Sequence, residues 1–416
     1  GADDVVPPEH GRSLVERLRW KGRFGARFFR SLTHAYGSLD DLASFPEAPA
    51  RRIPLTGAGH RRLRLPAPEP RWCDGAGRWH EGDWSEADDR AGTGWLRLVR
   101  YEGGRRGPVL LAAGFGMPST SFLVDTVETN LAEHLVHAGY DVWLFDYRAS
   151  TDLPSARTSF TLDDIARRDW PEAVAEVRRV TGAGSVQALG HCVGSASLMM
   201  ALAGGLEDVR SAVCMQFTLH PVTSYLNTVK AALKVDRILE NLGMRTVQPD
   251  VGFTPPKALL DFGLRVAPTP RAERCGKALC RWINAIYGST HAHDQLDDAT
   301  HEELDDMFGV GNIESLGHMG TIMNRRLVVD ADGREAYTRH PERLQLPILL
   351  VQGEKNYIFR PAGSMRTLRW LQTANEPSLY ERVVLPGYAH LDALIGRDAA
   401  RDVFPVLTEH LDRFNW

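Results

Sequence analysis

Gly190-His191-Cys192-Val193-Gly194 sets a thiol between two glycines. An apolar run, Val186-Gln187-Ala188-Leu189, precedes it, and a small-residue stretch from Ser195 to Leu202 follows. Strand, tight turn and helix in that order lift one side chain above the edge of a sheet, the arrangement of a nucleophile elbow. The glycines leave room for neighbouring backbone in such a turn. A helix N-terminus aimed at sulfur is expected to lower the thiol pKa and favour thiolate. Cys192 is therefore the candidate nucleophile. His191, on the same turn, is expected to point away from it and support the turn.

A thiol nucleophile needs a base, a partner that orients the base, and donors for the developing oxyanion. The base candidate is His390, in the loop Pro386 to Asp392 after the last strand-like run. Nucleophile, orienting residue and histidine then follow one another in the chain order expected of an elbow enzyme. The orienting residue is sought in the loop Gly353 to Pro361, where the third residue after Gly353 is Asn356 in place of a carboxylate. An asparagine can accept the imidazole N–H and fix its tautomer, although it cannot neutralise an imidazolium; Cys-His-Asn sets operate in this way on another fold. Glu354 and Asp392 are the alternative acids. The oxyanion donors are expected to be the backbone amides of Val193 and Phe115. Phe115 lies in the loop Ala113 to Ser119, whose two glycines let the backbone approach a substrate.

Other residues carry weaker signals. Asp169-Trp170-Pro171 reads as a helix cap. Asp146 and Arg148 read as an ion pair or a substrate contact, and His220, His301 and His318 as candidate pocket residues. Cys73, Cys214, Cys275 and Cys280 lack an elbow and read as inert thiols. Five cysteines with no C-x-x-C pair argue against a disulfide framework and against a four-ligand zinc site. No His/Asp/Glu pair has ligand spacing on an obvious helix face, so no metal is expected. Neither a Walker loop nor a G-x-G-x-x-G motif occurs, so no phosphate or dinucleotide cofactor is expected.

The elements that must position these groups begin at Thr93. Trp95 to Tyr101 alternates as a half-buried strand. Pro108 to Ala113 is a continuous apolar run, as a buried parallel strand would be. Strands are further expected at Tyr140–Phe145, at the run into Cys192, and at Val209–Met215, Ile348–Val351 and Tyr380–Leu385. Helices are expected over about 125–138, 169–181, 362–375 and 398–414. Strands alternating with helices imply an α/β class with a doubly wound, mostly parallel sheet. The division expected is an N-terminal helix and irregular wrapping segment over 1–92, a core of 93–219 with 341–416, and a helical cap or lid over 220–340. Residues 11–35 read as a basic amphipathic helix, suited to packing on its own domain or to a partner or membrane surface.

The chain has 416 residues with a net charge of −4, 43% hydrophobic and 25% charged residues. These values are ordinary for a globular protein and give no pull toward nucleic acid. No run approaches the roughly 18 apolar residues of a membrane-spanning helix. Gly1 to Asp4 has neither the charge nor the apolar core of a signal peptide, and with the unpaired cysteine count a cytoplasmic location is expected.

Together these blocks resemble the α/β-hydrolase superfamily. They look most like the hydrolase-like region attached to some cholesterol-oxidase-like GMC flavoproteins, and more distantly like acid lipases. The matching segments are Trp95 to Tyr101, Gly107 to Ala112, Gly139 to Asp146, Gly190 to Ser195, Gly353 to Pro361 and Pro386 to Asp392. The resemblance implies the hydrolase fold, with Cys192 as nucleophile and His390 as base. It brings no flavin, because the flavin domain of those fused proteins is not in this sequence. The elbow is also similar to those of polyhydroxyalkanoate synthases and dienelactone hydrolases, which run this fold on a thiol with an Asp as third member. The expected reaction is acyl transfer through a Cys192 thioester. The substrate would be a small-molecule or carrier-linked ester, lactone or thioester, with water, an alcohol or an amine as acceptor. The contrasting expectation is a catalytically silent hydrolase fold that serves as a binding module.

Overall fold

The protein is described by a computed structural model over residues 65–74, 76–82, 95–224, 227–228, 237, 245–247 and 273–415. The basic helix expected over 11–35, most of the wrapping segment and most of the first half of the expected cap lie outside the described residues.

Among the described residues, one sheet contains β1 (Glu69–Cys73), β2 (Trp79–Glu81), β3 (Leu96–Tyr101), β4 (Arg106–Ala112), β5 (Tyr140–Asp146), β6 (Val186–His191), β7 (Val209–Met215), β10 (Ile348–Gly353) and β11 (Tyr380–Leu385). Their order is β11-β10-β7-β6-β4-β5-β3-β1-β2. Strands β4, β5, β6, β7, β10 and β11 pair in parallel. β3 runs antiparallel to β5. β1 and β2 extend that edge, so the wrapping segment contributes two strands to the sheet itself. A separate ribbon pairs β8 (Thr246–Val247) with β9 (Gly311–Asn312).

The sequence accounts for this layering. Val109, Leu110 and Leu111 of β4 and every residue of β5 and β6 are buried, as strands covered on both faces must be. The helix Val193–Gly204 is apolar on all sides and buried almost throughout, so it lies inside the protein rather than on its surface. The helix expected from about 125 begins only at Leu131, because Asn130 and Glu133 close a capping box there. The last helix is broken in two, Ala399–Asp402 and Phe404–Arg413, with Pro405 in the first turn of the second piece, where a missing N–H costs nothing.

Chain order reverses between β4 and β6. From β4 the chain steps outward to β5, and then crosses to β6, β7, β10 and β11 on the other side. Crevices at the carboxyl ends of strands form at such a switch point. The loops that leave β4 and β6 there are those carrying Phe115 and Cys192.

Asp146, Arg148 and Asp169 hold this edge. Asp146 and Arg148 do not pair with each other. Asp146 accepts Arg97 Nε at 2.9 Å, Ser119 N at 2.6 Å, and the hydroxyls of Ser119 and Ser150 at 2.8 Å each. It thereby ties the loop after β4 to the end of β5. Arg148 instead meets Asp169, with Nε 2.9 Å and 3.0 Å from its two oxygens. Asp169 has helical backbone angles and makes no cap bond, so the expected cap is an ion pair, placed by a π-helical turn over Ile165–Asp169. Both partners are buried. Asp169→Ala should therefore strand the guanidinium and destabilise the fold by about 3–5 kcal/mol, read as a shifted denaturant midpoint.

Candidate active site

Cys192 has φ 54° and ψ −117°, a conformation that L side chains rarely adopt. A strained non-glycine residue of this kind costs on the order of 1–3 kcal/mol and persists only where its surroundings impose it. Here the imposition is steric. A Cβ at Gly190 would stand 2.5 Å from backbone atoms of Gly194 and Ser195, and one at Gly194 only 2.4 Å from the carbonyl oxygen of Ala112. The helix Val193–Gly204 thus starts almost in contact with β4 and β6. Gly194 N donates to Ala113 O at 3.1 Å, and the Tyr147 hydroxyl donates to the same carbonyl at 2.7 Å. With those carbonyls held, the amides of Phe115 and Val193 both face the Cys192 sulfur and stabilise its charged form. The two expected donors therefore stand together at the expected atom.

Burial outweighs this help. The Cys192 thiol is pushed up to about 12 by desolvation, against the lowering effect of the two amides. This runs against the thiolate expected from the helix terminus, because desolvation by burial is the larger effect. His390 lines the same cavity, and its pKa is held well below the ordinary imidazole value by burial and then by His191. Burial thus acts on both groups toward the uncharged forms, thiol and neutral imidazole.

His191 does more than support the turn. It lines the cavity, and its Nε2 stands 2.9 Å from the backbone oxygen of His390. A carbonyl only accepts, so Nε2 carries the proton. Burial lowers the His191 pKa to about 4, which keeps the ring neutral. The elbow and the His390 loop are joined by this bond.

None of the three candidates for orienting His390 bonds to its ring, and His390 Nδ1 is buried with no partner among the described residues. Asn356 Nδ2 donates to Gln216 Oε1 at 2.8 Å, while its Oδ1 accepts the amides of Ile358 and Phe359 at 3.1 and 3.0 Å. Asp392 accepts the Ala389 amide at 2.9 Å and the Ala292 amide at 3.4 Å, and burial raises its carboxyl to about 7. Glu354 accepts the Gly387 amide at 2.9 Å. Asp392 and Glu354 hold backbone amides of the loop that carries His390, whereas Asn356 holds its own loop and Gln216.

Cys192, His191 and His390 open into a cavity of about 260 Å³ walled mainly by apolar side chains, among them Phe308, Met319, Met323, Ile358 and Phe359. Tyr287, unmarked by any sequence motif, also lines it. Its hydroxyl is buried with no partner among the described residues, and its pKa is pushed up by burial and by proximity to Cys192. Of the histidines expected in the pocket, His220 bonds Thr367, His318 bonds Val329 O and Leu162 N, and His301 lies beside two cysteines. None of the three lines the cavity. Cys275 and Cys280, read as inert, converge with His293 and His301. The C-x4-C spacing with histidines 13 and 21 residues after Cys280 was the available signal for them.

Residues 107–396 match the model of the alpha/beta hydrolase fold family, and the chain belongs to that family. Its relatives include lipases. A probable lipase of Schizosaccharomyces pombe is 25% identical over 319 residues, covering 69% of this chain and 66% of its own length. Triacylglycerol lipase 2 of Arabidopsis thaliana is 30% identical over 39% of this chain and 42% of its own. The human lysosomal acid lipase/cholesteryl ester hydrolase is 25% identical over 37% of this chain and 40% of its own. The chain thus spans just under two thirds of the first relative and less than half of the others. A soluble variant of the monoglyceride lipase of Saccharomyces cerevisiae, solved with a substrate analogue, aligns over 77% of this chain and 92% of its own with TM-score 0.49 and 15% identity. No helix among the described residues is long and apolar enough to cross a membrane.

Two outcomes follow from this geometry. Because the thiol pKa is raised, thiolate forms only as pH climbs. Alkylation of Cys192 by iodoacetamide, followed by peptide mass, should keep accelerating through the ordinary thiol value of about 8.5, and a plateau below it would mean a preformed thiolate. Asn356→Ala removes the acceptor of two buried amides, and should cost about 1–3 kcal/mol in unfolding free energy.

Proposed function

We propose that the protein transfers acyl groups through a Cys192 thioester, acting as an esterase, thioesterase or lactonase on substrates with an apolar acyl part. The observation that carries this reading is the strained elbow itself. Cys192 faces the amides of Phe115 and Val193 inside an apolar cavity that it shares with His390. A backbone held in a costly conformation at a reactive side chain is a feature of active sites rather than of packing.

In this mechanism the substrate carbonyl enters with its oxygen toward the two amides. His390 takes the thiol proton as sulfur bonds to the carbonyl carbon, and the negative charge that develops on oxygen is held by Phe115 N–H and Val193 N–H. The intermediate collapses, the leaving alcohol or thiol takes the proton from His390, and the thioester remains on Cys192. A neutral imidazole is the form this step requires, and the lowered pKa of His390 keeps it available. His390 then removes a proton from the acceptor, which attacks the thioester and restores the thiol. The cavity volume lies near the lower end of small-molecule pockets and suits a compact apolar acyl group. The lipase relatives support an ester as donor.

Two features of the site favour other outcomes. The apolar walls limit water, which favours an alcohol or amine acceptor and so an acyltransferase or cyclase. The unpartnered His390 Nδ1, with Asn356 turned to Gln216, favours a silent binding module. Intact-protein mass after mixing with a panel of acyl thioesters and activated esters separates all three. One acyl mass on the wild type and none on Cys192→Ala is the expected result. Decay of that adduct in water, against its decay with added alcohol or amine, divides hydrolysis from transfer. Donor left unconsumed and protein left unlabelled across the panel would defeat the catalytic reading.

A further inference from the structure

Cys275, Cys280, His293 and His301 come from a stretch of 27 residues and are all buried, none with more than 7% of its surface exposed. One ligand atom from each lies within 4.8 Å of every other. Cys280 Sγ is 3.0 Å from His301 Nε2 and 3.8 Å from His293 Nε2, and Cys275 Sγ is 3.4 Å from His301 Nε2. Two ligands at Zn–S of 2.3 Å and Zn–N of 2.0–2.1 Å in a tetrahedral site stand about 3.6 Å apart. The observed separations straddle that value. The groups behind the ligands fit as well. His293 turns its other nitrogen to the Glu273 carboxylate at 2.8 Å, the arrangement that fixes the tautomer and raises the basicity of a metal-bound imidazole. The backbone amide of Lys277 points at Cys275 Sγ at 3.3 Å, as amides do toward a metal thiolate. His291 stands beside the cluster, with Nε2 3.7 Å from Cys280 Sγ and Nδ1 on the Thr290 hydroxyl.

The two thiols and two imidazoles close on one point inside an apolar shell. Leu279, Ile283, Leu296 and Leu304 belong to the hydrophobic core in which the cysteines sit. We infer that Cys275, Cys280, His293 and His301 bind one zinc ion, tetrahedrally, in a closed structural site. Binding replaces the two thiol protons, which pass to solvent, and two thiolates balance the charge of Zn2+. Mixed thiolate and imidazole ligands in a tetrahedron select zinc over the hard cations.

The site braces the cavity. Cys280 lies on the helix Ala278–Ile286, which runs directly into Tyr287 in the cavity wall. The ligand loop is tied to the loop of His390 by Leu391 N to Thr290 O at 2.6 Å, Gln295 Nε2 to Gly387 O at 3.2 Å and Arg397 N to Gln295 O at 2.9 Å. The inference does not depend on the acyl-transfer reading.

The test is metal analysis of protein purified without an affinity tag or chelator, followed by titration of the metal-free protein with Zn2+ and with Co2+. One zinc per chain, two protons released on zinc binding, and the intense visible bands of tetrahedral cobalt with thiolate ligands are expected. Cys280→Ser and His301→Ala should lose stoichiometric zinc, and Cys214→Ser, a buried thiol outside the cluster, should keep it. Should the ligand variants fail to fold, the cobalt spectrum of the wild type decides. A wild type that takes up no zinc while its thiols titrate as free, a Cys275–Cys280 disulfide in the peptide mass, or an octahedral cobalt spectrum would overturn the assignment.

Discussion

The site depends on how closely one helix approaches two strands. With no side chain at Gly190 or Gly194, the start of Val193–Gly204 rests against the backbone of β4 and β6. A chain that turns this sharply cannot keep an ordinary conformation at the residue between, and Cys192 takes φ 54° as a result. The same closeness brings two loops within reach of one sulfur, which is how amides from residues 77 positions and one position away come to share it. Strain and preorganised donors have a common origin here, and neither would survive a looser helix.

Around this point the protein relies on backbone oxygens and amides more than on side-chain pairs. Tyr147 and Gly194 hold the carbonyl of Ala113, and His191 holds that of His390. Asp392, Glu354 and Asn356 spend their acceptors on amides of the surrounding loops. Buried loops need such partners for their polar groups. The imidazole of His390 is therefore positioned by the shape of its loop and by ring contacts, with His191 at 4.9 Å and Phe359 at 6.1 Å between ring centroids. That differs from a triad in which a carboxylate grips the ring.

The parallel core was legible in the sequence because strands buried on both faces read as unbroken apolar runs, and β4, β5 and β10 do. The elbow was legible because its glycines and thiol are adjacent. β1 was harder to read, since Glu69, Pro70 and Arg71 near the sheet edge carry no apolar run. What Asn356 does was not legible at all. Its partner Gln216 lies 140 residues away, and its own neighbours Ile358 and Phe359 compete for its oxygen. The direction of the Cys192 pKa also depended on packing, because a helix terminus lowers it and burial raises it, and only the finished cavity decides between them. Cys275 and Cys280 read as inert in the sequence because their histidines join them through the fold rather than along one helix face.

The elbow and much of the cavity wall come from different stretches of the chain, although Met117, Ile358 and Phe359 line the cavity from the sheet loops. Cys192, Phe115 and His390 leave the carboxyl ends of β6, β4 and β11, whereas Tyr287, Phe308, Leu316, Met319 and Met323 all come from the segment between β7 and β10. The two stretches meet through backbone bonds, side-chain bonds and shared apolar cores. A substitution at Phe308, Met319 or Met323 thus alters the cavity wall from positions far along the chain from the elbow.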